Sequence, residues 1–308
     1  MERGMNKVVI VTRKTRLHDL ICKYNTMEQA KFYIEHMGAD FSDYISEDKR
    51  YQEAVEEVVE VSEKYARVQR IDRDFLPNMM FGEKDIVIAV GQDGLVANTL
   101  KYLDGQPLIG VNPDPSRWDG MLLPFEAGEI EQILLKVIGE NHQVKKVTMA
   151  QAKTQDGQTM LAVNDLFVGQ KTHVSARYDI TWNGRNEYQS SSGIIISTGL
   201  GSTGWYRSIM TQAAGIAGEF GGADLKCEDM GWEEDKLIFV VREPFPSCST
   251  QTEMIYGKLT KTDTFKILSK MPGNGVVFSD GIESDAIEFN AGTEITIQIA
   301  RKKGILVV

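Results

Sequence analysis

For about its first 125 residues the chain alternates short β-branched runs with longer charged stretches, and after Pro124 the alternation stops. This change of rhythm constrains the fold more than any other feature. Lys7–Thr12, Asp85–Val90 and Pro107–Val111 read as buried strands, because each is a short, largely apolar run. Thr15–Met37 and Ser46–Tyr65 carry helical apolar spacing, with Ala54, Val55, Val58, Val59 and Val61 lining the second, and Val96–Leu103 reads as a short helix. Strands that alternate with helices need crossover connections, which give a parallel sheet with helices on both faces.

Beyond Pro124 one more helix, near Glu129–Glu140, is followed by mostly strand-like segments. Asp156-Gly157 and Asn183-Gly184 sit between alternating apolar runs, the strongest short hairpin signal. Leu237–Val241, Thr264–Leu268, Gly275–Phe278 and Glu294–Ile299 repeat the pattern, and a helix near Trp205–Ala217 interrupts it. The expectation is an α/β domain over residues 1–125 and a mainly antiparallel β domain over 126–308, with the final strand free to return to the first domain.

Charge and composition remove several classes of function. The 308 residues carry 34 Lys and Arg against 44 Asp and Glu, a net charge of −10. A binder of phosphate backbones needs a basic face, and none is visible, so nucleic acid and anionic membranes are not expected partners. No run approaches the roughly 18 apolar residues of a membrane-spanning helix. A small polyanion such as a nucleotide stays compatible, because backbone N–H groups and a metal ion hold it locally. Cys22, Cys227 and Cys248 are odd in number and far apart, so they read as reduced thiols. Met1–Arg16 is basic and lacks the apolar stretch of a signal peptide, which gives a cytoplasmic expectation. The four histidines have no metal-like spacing, so no protein metal ligand is assigned.

Four motifs can carry chemistry. Gly91-Gln92-Asp93-Gly94 follows the Asp85–Val90 strand, at the carboxyl end where open α/β sheets bind ligands. Its glycines allow a tight turn and a close approach of N–H groups to phosphate, and Asp93 could serve as a base or hold Mg²⁺ through water; an ordinary strand-to-helix turn accounts for the same residues. Asn164-Asp165 follows Leu161-Ala162-Val163 and could satisfy both hydroxyls of a ribose, or simply cap a strand. In Ser191–Trp205 an apolar strand runs into a Gly/Ser/Thr loop in which Gly199, Gly201 and Gly204 satisfy G-x-G-x-x-G. The hairpin-rich surroundings lack the βαβ unit of a hydride-transfer site, and no G-x-x-x-x-G-K-[ST] is present. Phe278-Ser279-Asp280-Gly281 reads from composition as a hairpin turn.

The order of these motifs resembles the NAD kinase family, whose members carry G-G-D-G, then N-E/D, then a T-G-S-T-A-Y-like loop, then D-G. The mitochondrial-type branch is the closer likeness, through Val8–Arg13, Ile109–Pro115 and Ser191-Ser192-Gly193. The resemblance spans most of the chain. It implies a Rossmann-like α/β domain followed by a β-sandwich-like domain, the architecture shared by NAD kinases and diacylglycerol kinases. It implies transfer of a phosphoryl group from ATP or polyphosphate, with Mg²⁺, to the 2′-hydroxyl of the adenosine ribose of NAD, giving NADP. By position, Asp93 would be the base, and Gly91, Gln92 and Gly94 would approach the donor phosphates. Asn164 and Asp165 would hold the ribose and adenine side. Thr203, Gly204 and Trp205 would line the adenine pocket, with Ser208 at its edge, and Met121 and Leu122 would lie beside the dinucleotide. Family members are usually homo-oligomers, so a homo-dimer or homo-tetramer is expected.

Gln92 replaces the second glycine of G-G-D-G-T, and Leu95 replaces its threonine. A left-handed non-glycine residue costs roughly 1–2 kcal/mol, so Gln92 is expected at an ordinary negative φ. Two other functions fit the same residues: a lipid or sugar kinase sharing the G-G-D-G loop, and an NAD-binding sensor that no longer handles a donor.

Overall fold

The computed structural model describes residues 7–222, 225 and 227–308, so the first six residues of the Met1–Arg16 stretch lie outside the described residues. The chain divides into two compact units, one running up to Lys145 and including Ile305–Val308, the other spanning Lys146–Gly304. Among the described residues no helix is long and apolar enough to cross a membrane.

The first unit is built on a parallel sheet. Strand β1 (Lys7–Thr12) is followed by helices α1 (Arg16–Tyr24), α2 (Met27–His36) and α3 (Phe41–Glu63). Next come β2 (Arg67–Asp72), β3 (Ile86–Val90), α4 (Asp93–Leu100), β4 (Pro107–Asn112), the two-residue β5 (Phe125–Glu126) and α5 (Ile130–Ile138). β1 pairs in parallel with both β2 and β3, and β3 pairs with β4. The order is therefore β2-β1-β3-β4, and the chain reverses its direction of travel across the sheet between β1 and β3. Val8, Ile10, Ile86, Ile88 and Val90 face Tyr51, Val55 and Val58 of α3 and Ile130 and Leu134 of α5, all buried. α4 packs against β3 and β4.

A tyrosine ties the two strands at the reversal. The Tyr51 hydroxyl accepts the Arg13 N–H at 2.8 Å and donates to the Val90 carbonyl at 3.2 Å. It thus satisfies the first backbone group beyond β1 and the last of β3, where the ladder stops. Removing the hydroxyl leaves both without this partner, and Tyr51→Phe is expected to lose about 1–3 kcal/mol of stability in urea unfolding.

The second unit begins within β6 (Val144–Thr154) and continues through β7 (Thr159–Ala162), β8 (Asp165–Gln170), β9 (Ala176–Trp182), β10 (Arg185–Ser191) and β11 (Ile194–Ser197). α6 (Trp205–Glu219) interrupts before β12 (Leu237–Val241), β13 (Tyr256–Leu259), β14 (Phe265–Ser269), β15 (Gly275–Ser279), β16 (Ile282–Glu288) and β17 (Glu294–Val307). One sheet has the order β13-β12-β11-β8-β15-β16, and all its pairings are antiparallel. The other joins β10, β9, β14 and β17, with β6 and β7 beyond. Leu166, Val168, Ile194, Ile196 and Phe239 from the first sheet meet Tyr178, Ile180, Phe265, Ile267 and Ile297 from the second in one buried core, which makes a sandwich. Phe167 and Ile195 alternate to the opposite face of their sheet, where Trp205 and Ile209 of α6 cover them. The last residues of β17, Ile305 and Leu306, pair in parallel with Pro107 and Leu108 inside the first unit.

Several elements differ from the sequence expectation. Thr15–Met37 is two helices rather than one: Asn25 adopts a left-handed φ of 67° at the end of α1, and the Thr26 hydroxyl accepts the Gln29 N–H to start α2. α3 begins at Phe41 because the Asp40 carboxylate caps the Ser42 N–H. α4 begins at Asp93, not Val96, which puts Asp93 and Gly94 in its first turn. β2 is absent from the expectation; it is an edge strand, so its charged residues, such as Arg67 and Arg70, need no second strand beside them.

Candidate active site

In the first unit the Gly91–Gly94 turn sits at the carboxyl end of β3, beside the β1/β3 reversal. Gly91 N–H donates to Val111 O at 3.1 Å, holding the turn against β4. Gln92 has φ −124° and ψ 163°, the expected negative value, and its side chain makes no capping bond to α4. Its carbonyl accepts the Leu95 N–H at 2.8 Å. The Asp93 and Gly94 N–H groups make no hydrogen bond among the described residues, as expected of the first positions of a helix. A Cβ on Gly94 would meet nothing within 4 Å, so the turn has open space above it.

The Asp93 carboxylate is held from a distant segment: its Oδ1 accepts the Leu122 N–H at 2.8 Å. That segment reaches the sheet because Gly110 has no side chain; a Cβ there would lie 2.1 Å from the Leu122 carbonyl oxygen. Leu122 is buried whereas Met121 is 63% exposed, so the two neighbours act differently. Leu122 anchors the segment and orients Asp93 through its amide, and Met121 offers a free apolar side chain. Asp93 Oδ2 has no hydrogen bond among the described residues and is available to accept a proton.

In the second unit three motifs far apart in sequence meet at one backbone point. Asp280 takes φ 54° and Gly281 φ 72° in the β15–β16 connection, the hairpin turn read from composition. The Asp280 carboxylate also gathers a neighbouring segment, accepting the N–H groups of Val163, Asn164 and Asp165 at 3.1, 2.7 and 3.2 Å. Asp280 N–H returns a bond to Asp165 O at 3.0 Å. On the other side Thr198 N–H donates to Asn164 O at 3.0 Å, its hydroxyl donates to Val163 O at 2.5 Å, and Gly201 N–H donates to that hydroxyl at 3.2 Å. A Cβ on Gly201 would lie 2.0 Å from Asn164 O, so only glycine lets the loop approach this closely. At Asn164 these bonds use only the backbone, and its side chain remains available for a ligand.

The Asp165 carboxyl is 8% exposed and its pKa is pushed up to about 7, first by burial and then by the charge on Asp280. Below that pH it can donate a hydrogen bond, and above it only accept.

Thr203 and Gly204 lie exposed at the lip of the loop, and Ser208, also exposed, lies in the first turn of α6. Trp205 stacks on Phe167 with ring centres 5.7 Å apart and planes 7° from parallel, and the Arg242 guanidinium lies 5.2 Å from the Trp205 ring centre. Phe167 lies against Gly169 and Gly193, where added Cβ atoms would come within 2.6 and 2.7 Å of its ring. Sequence reading missed Phe167; its signal is an aromatic at an outward position of an apolar strand, facing glycines. A cavity of about 650 Å³ opens beside this stack, lined among others by Trp205, Ser208, Ile209, Ala213, Val240 and Tyr256. Its size and largely apolar wall suit a planar heteroaromatic group.

A parallel α/β unit with a Gly-x-Asp-Gly turn, followed by a β-sandwich carrying a glycine loop, is the fold of the NAD kinases. The chain matches yeast NADH kinase, whose crystal structure is a complex with NADH, over 99% of its own length and 84% of that chain, with a TM-score of 0.60 and 15% identity. It matches an NAD kinase from Archaeoglobus fulgidus, solved in complex with ATP, over 98% of its length and 93% of that chain, with a TM-score of 0.55 and 16% identity. In sequence it is similar to NAD kinase 2, mitochondrial, of Rattus norvegicus: 24% identical over a 316-residue alignment covering 78% of this chain and 73% of that protein. No protein-family profile matches the chain. The resemblance to the NAD kinase family is thus one of sequence and of fold.

Proposed function

We propose that the chain is an NAD kinase, transferring the terminal phosphoryl group of ATP or polyphosphate to the 2′-hydroxyl of the adenosine ribose of NAD. The observation that carries this reading is Asp93. It stands at the carboxyl end of a parallel strand, in the open first turn of a helix, with one carboxylate oxygen fixed by Leu122 N–H and the other free. Phosphoryl transfer needs positioning and charge neutralisation more than covalent chemistry. Asp93 accepts the hydroxyl proton as the ribose oxygen attacks phosphorus. Gly91, Gln92 and Gly94 approach the donor phosphates. Asn164 and Asp165 hold the ribose, and Thr203, Gly204, Trp205 and Ser208 flank the adenine, with Met121 and Leu122 beside the dinucleotide.

No group of three His, Cys, Asp or Glu side chains poised for a metal occurs among the described residues. In this reading an Mg²⁺ ion would enter with the donor and would supply charge neutralisation at the phosphates. Assembly as a homo-dimer or homo-tetramer belongs to the same reading and is checked by light scattering. The cytoplasmic expectation is also kept here. The rat relative is named as mitochondrial, and imaging a fluorescent fusion of the full chain separates the two compartments.

The direct test incubates the chain with Mg²⁺, NAD and either ATP or polyphosphate and follows NADP, with NAD binding measured in parallel. NADP formation supports the kinase. NAD binding without NADP from any donor selects the sensor, and neither binding nor turnover of NAD selects a lipid or sugar kinase. Within this reading, Asn164→Ala is expected to raise the NAD dissociation constant by about 10- to 100-fold, because ligand hydroxyls lose a partner worth ~1–3 kcal/mol. An unchanged constant in calorimetry would leave Asn164 only its backbone role.

A further inference from the structure

We propose that Arg13 is a donor-binding residue, the fixed cation of a seat for a triphosphate chain at the crevice between β1 and β3; the inference rests on the kinase reading. Open parallel sheets bind ligands at the carboxyl ends of their strands, where the chain reverses its direction across the sheet. Here that place lies between Arg13, the residue after β1, and Gly91–Gly94, the turn after β3. Two donors there lack acceptors. The first is the open turn of α4, with the Asp93 and Gly94 amides and the positive end of the helix dipole. The second is the Arg13 side chain, 9% exposed, whose Nε–H is buried and has no hydrogen-bond partner among the described residues. Arg13 Nε lies 3.6 Å from the position a Cβ on Gly91 would occupy, so the guanidinium adjoins the turn. Leu95 Cδ2 lies 2.9 Å from the same position, so position 91 has no room for a side chain.

The surroundings hold the guanidinium in place. It lies over the Tyr51 ring at 5.2 Å, Nη1 donates to Lys14 O at 3.0 Å, and Nη2 pairs with Glu47 at 3.2 Å. Glu47 is shared with Arg16, which also pairs with Asp43 at 2.8 Å. Asp43 binds Arg117 at 2.6 Å, and Asp114 binds both Arg117 and Arg50. Arg16, Arg50 and Arg117 are tied to Glu47, Asp43 and Asp114, and this network holds Arg13 in a fixed position through Glu47.

The test titrates the full chain with ATP, with inorganic tripolyphosphate and with adenosine, each with Mg²⁺. It follows the Arg13 Nε–H resonance, assigned through its own side-chain carbons, together with calorimetric affinities. Tripolyphosphate and ATP should both shift that resonance and compete with each other, and adenosine should do neither. ATP binding far more tightly than tripolyphosphate identifies a nucleotide donor, and similar affinities identify polyphosphate. Arg13→Gln should weaken both phosphates by roughly 10- to 100-fold with NAD affinity unchanged, the range for loss of a charge-assisted hydrogen bond. Arg13→Lys, which keeps the charge without the Nε–H, should recover part of the loss. No tripolyphosphate binding to the wild type, or binding that leaves the resonance unmoved, overturns the proposal without any variant having to fold. Arg13-dependent binding in a chain that makes no NADP removes the kinase reading and keeps the seat. NADP formation with Arg13→Gln affinities equal to wild type does the reverse.

Discussion

Asp93→Asn is expected to cut NADP formation by ~10²-fold or more while leaving the fold and the NAD dissociation constant nearly unchanged. The structure makes this substitution a clean one. Oδ1 of Asp93 is the atom that accepts the Leu122 N–H, and an asparagine keeps an acceptor oxygen there. The 119–123 segment therefore stays anchored and α4 still starts at residue 93. What is lost is the second oxygen, the one with no bond among the described residues, and with it the capacity to take a proton. Turnover measured under NAD saturation, with circular dichroism on the same sample, gives the result. Near-normal turnover in a folded Asp93→Asn protein would falsify the base assignment.

Asp165→Asn is expected to stabilise the chain at pH 8 and to change little at pH 4. The folded carboxyl titrates at about 7 because it is buried and faces Asp280, whereas an unfolded one titrates near its ordinary value of about 4. Between these values the folded state holds a proton that the unfolded state has released. Stability therefore falls as the pH climbs through that window, by as much as about 4 kcal/mol once both states are ionised. Asparagine does not ionise, so its urea-unfolding free energy should lack this slope. A wild-type stability that is flat from pH 4 to 8 would show that the Asp165 carboxyl is better solvated than its 8% exposure implies. In the proposed function the same titration would act on the ribose contact, since below about pH 7 the carboxyl offers a donor that it lacks above.

The architecture was legible where residue pattern and burial coincide. β1, β3 and β4 are buried from end to end or nearly so, and such strands read as continuous apolar runs. The Asn183-Gly184 hairpin was legible because both residues must take positive φ, and they do, at 52° and 74°. β2 was not, since Arg67-Val68-Gln69-Arg70-Ile71-Asp72 has the composition of a surface loop and becomes a strand only through β1. The break between α1 and α2 rests on a single Asn25-Thr26 step, which helical apolar spacing on either side conceals.

The candidate site was legible as an ordered series of motifs and not as a set of contacts. Nothing in Asp280-Gly281 says that its carboxylate will gather three amides from Val163–Asp165, because 115 or more residues separate the partners. Arg13 and Tyr51 are harder still. Neither stands in a glycine-rich turn, and their link is a backbone N–H to a hydroxyl 38 residues away. Arg13 closes the Val8–Arg13 run that carries part of the resemblance, but its contact with Tyr51 shows itself only when the ends of adjacent strands are seen side by side.

The final strand sets an order of events during synthesis. β4 has β3 on one side, and on the other its first residues meet Ile305 and Leu306, which leave the ribosome nearly 200 residues later. Until then that stretch of β4, Pro107 and Leu108, presents unpaired backbone groups, and Val307 is missing from the core beneath α3 and α5. The nascent first unit is thus a template that can recruit a foreign strand. Closing so long a loop is slow as well, because its entropy is lost before the contacts form. Arrest of translation within the β-sandwich therefore exposes an aggregation-prone edge, and a chaperone that covers edges has most to do in that interval.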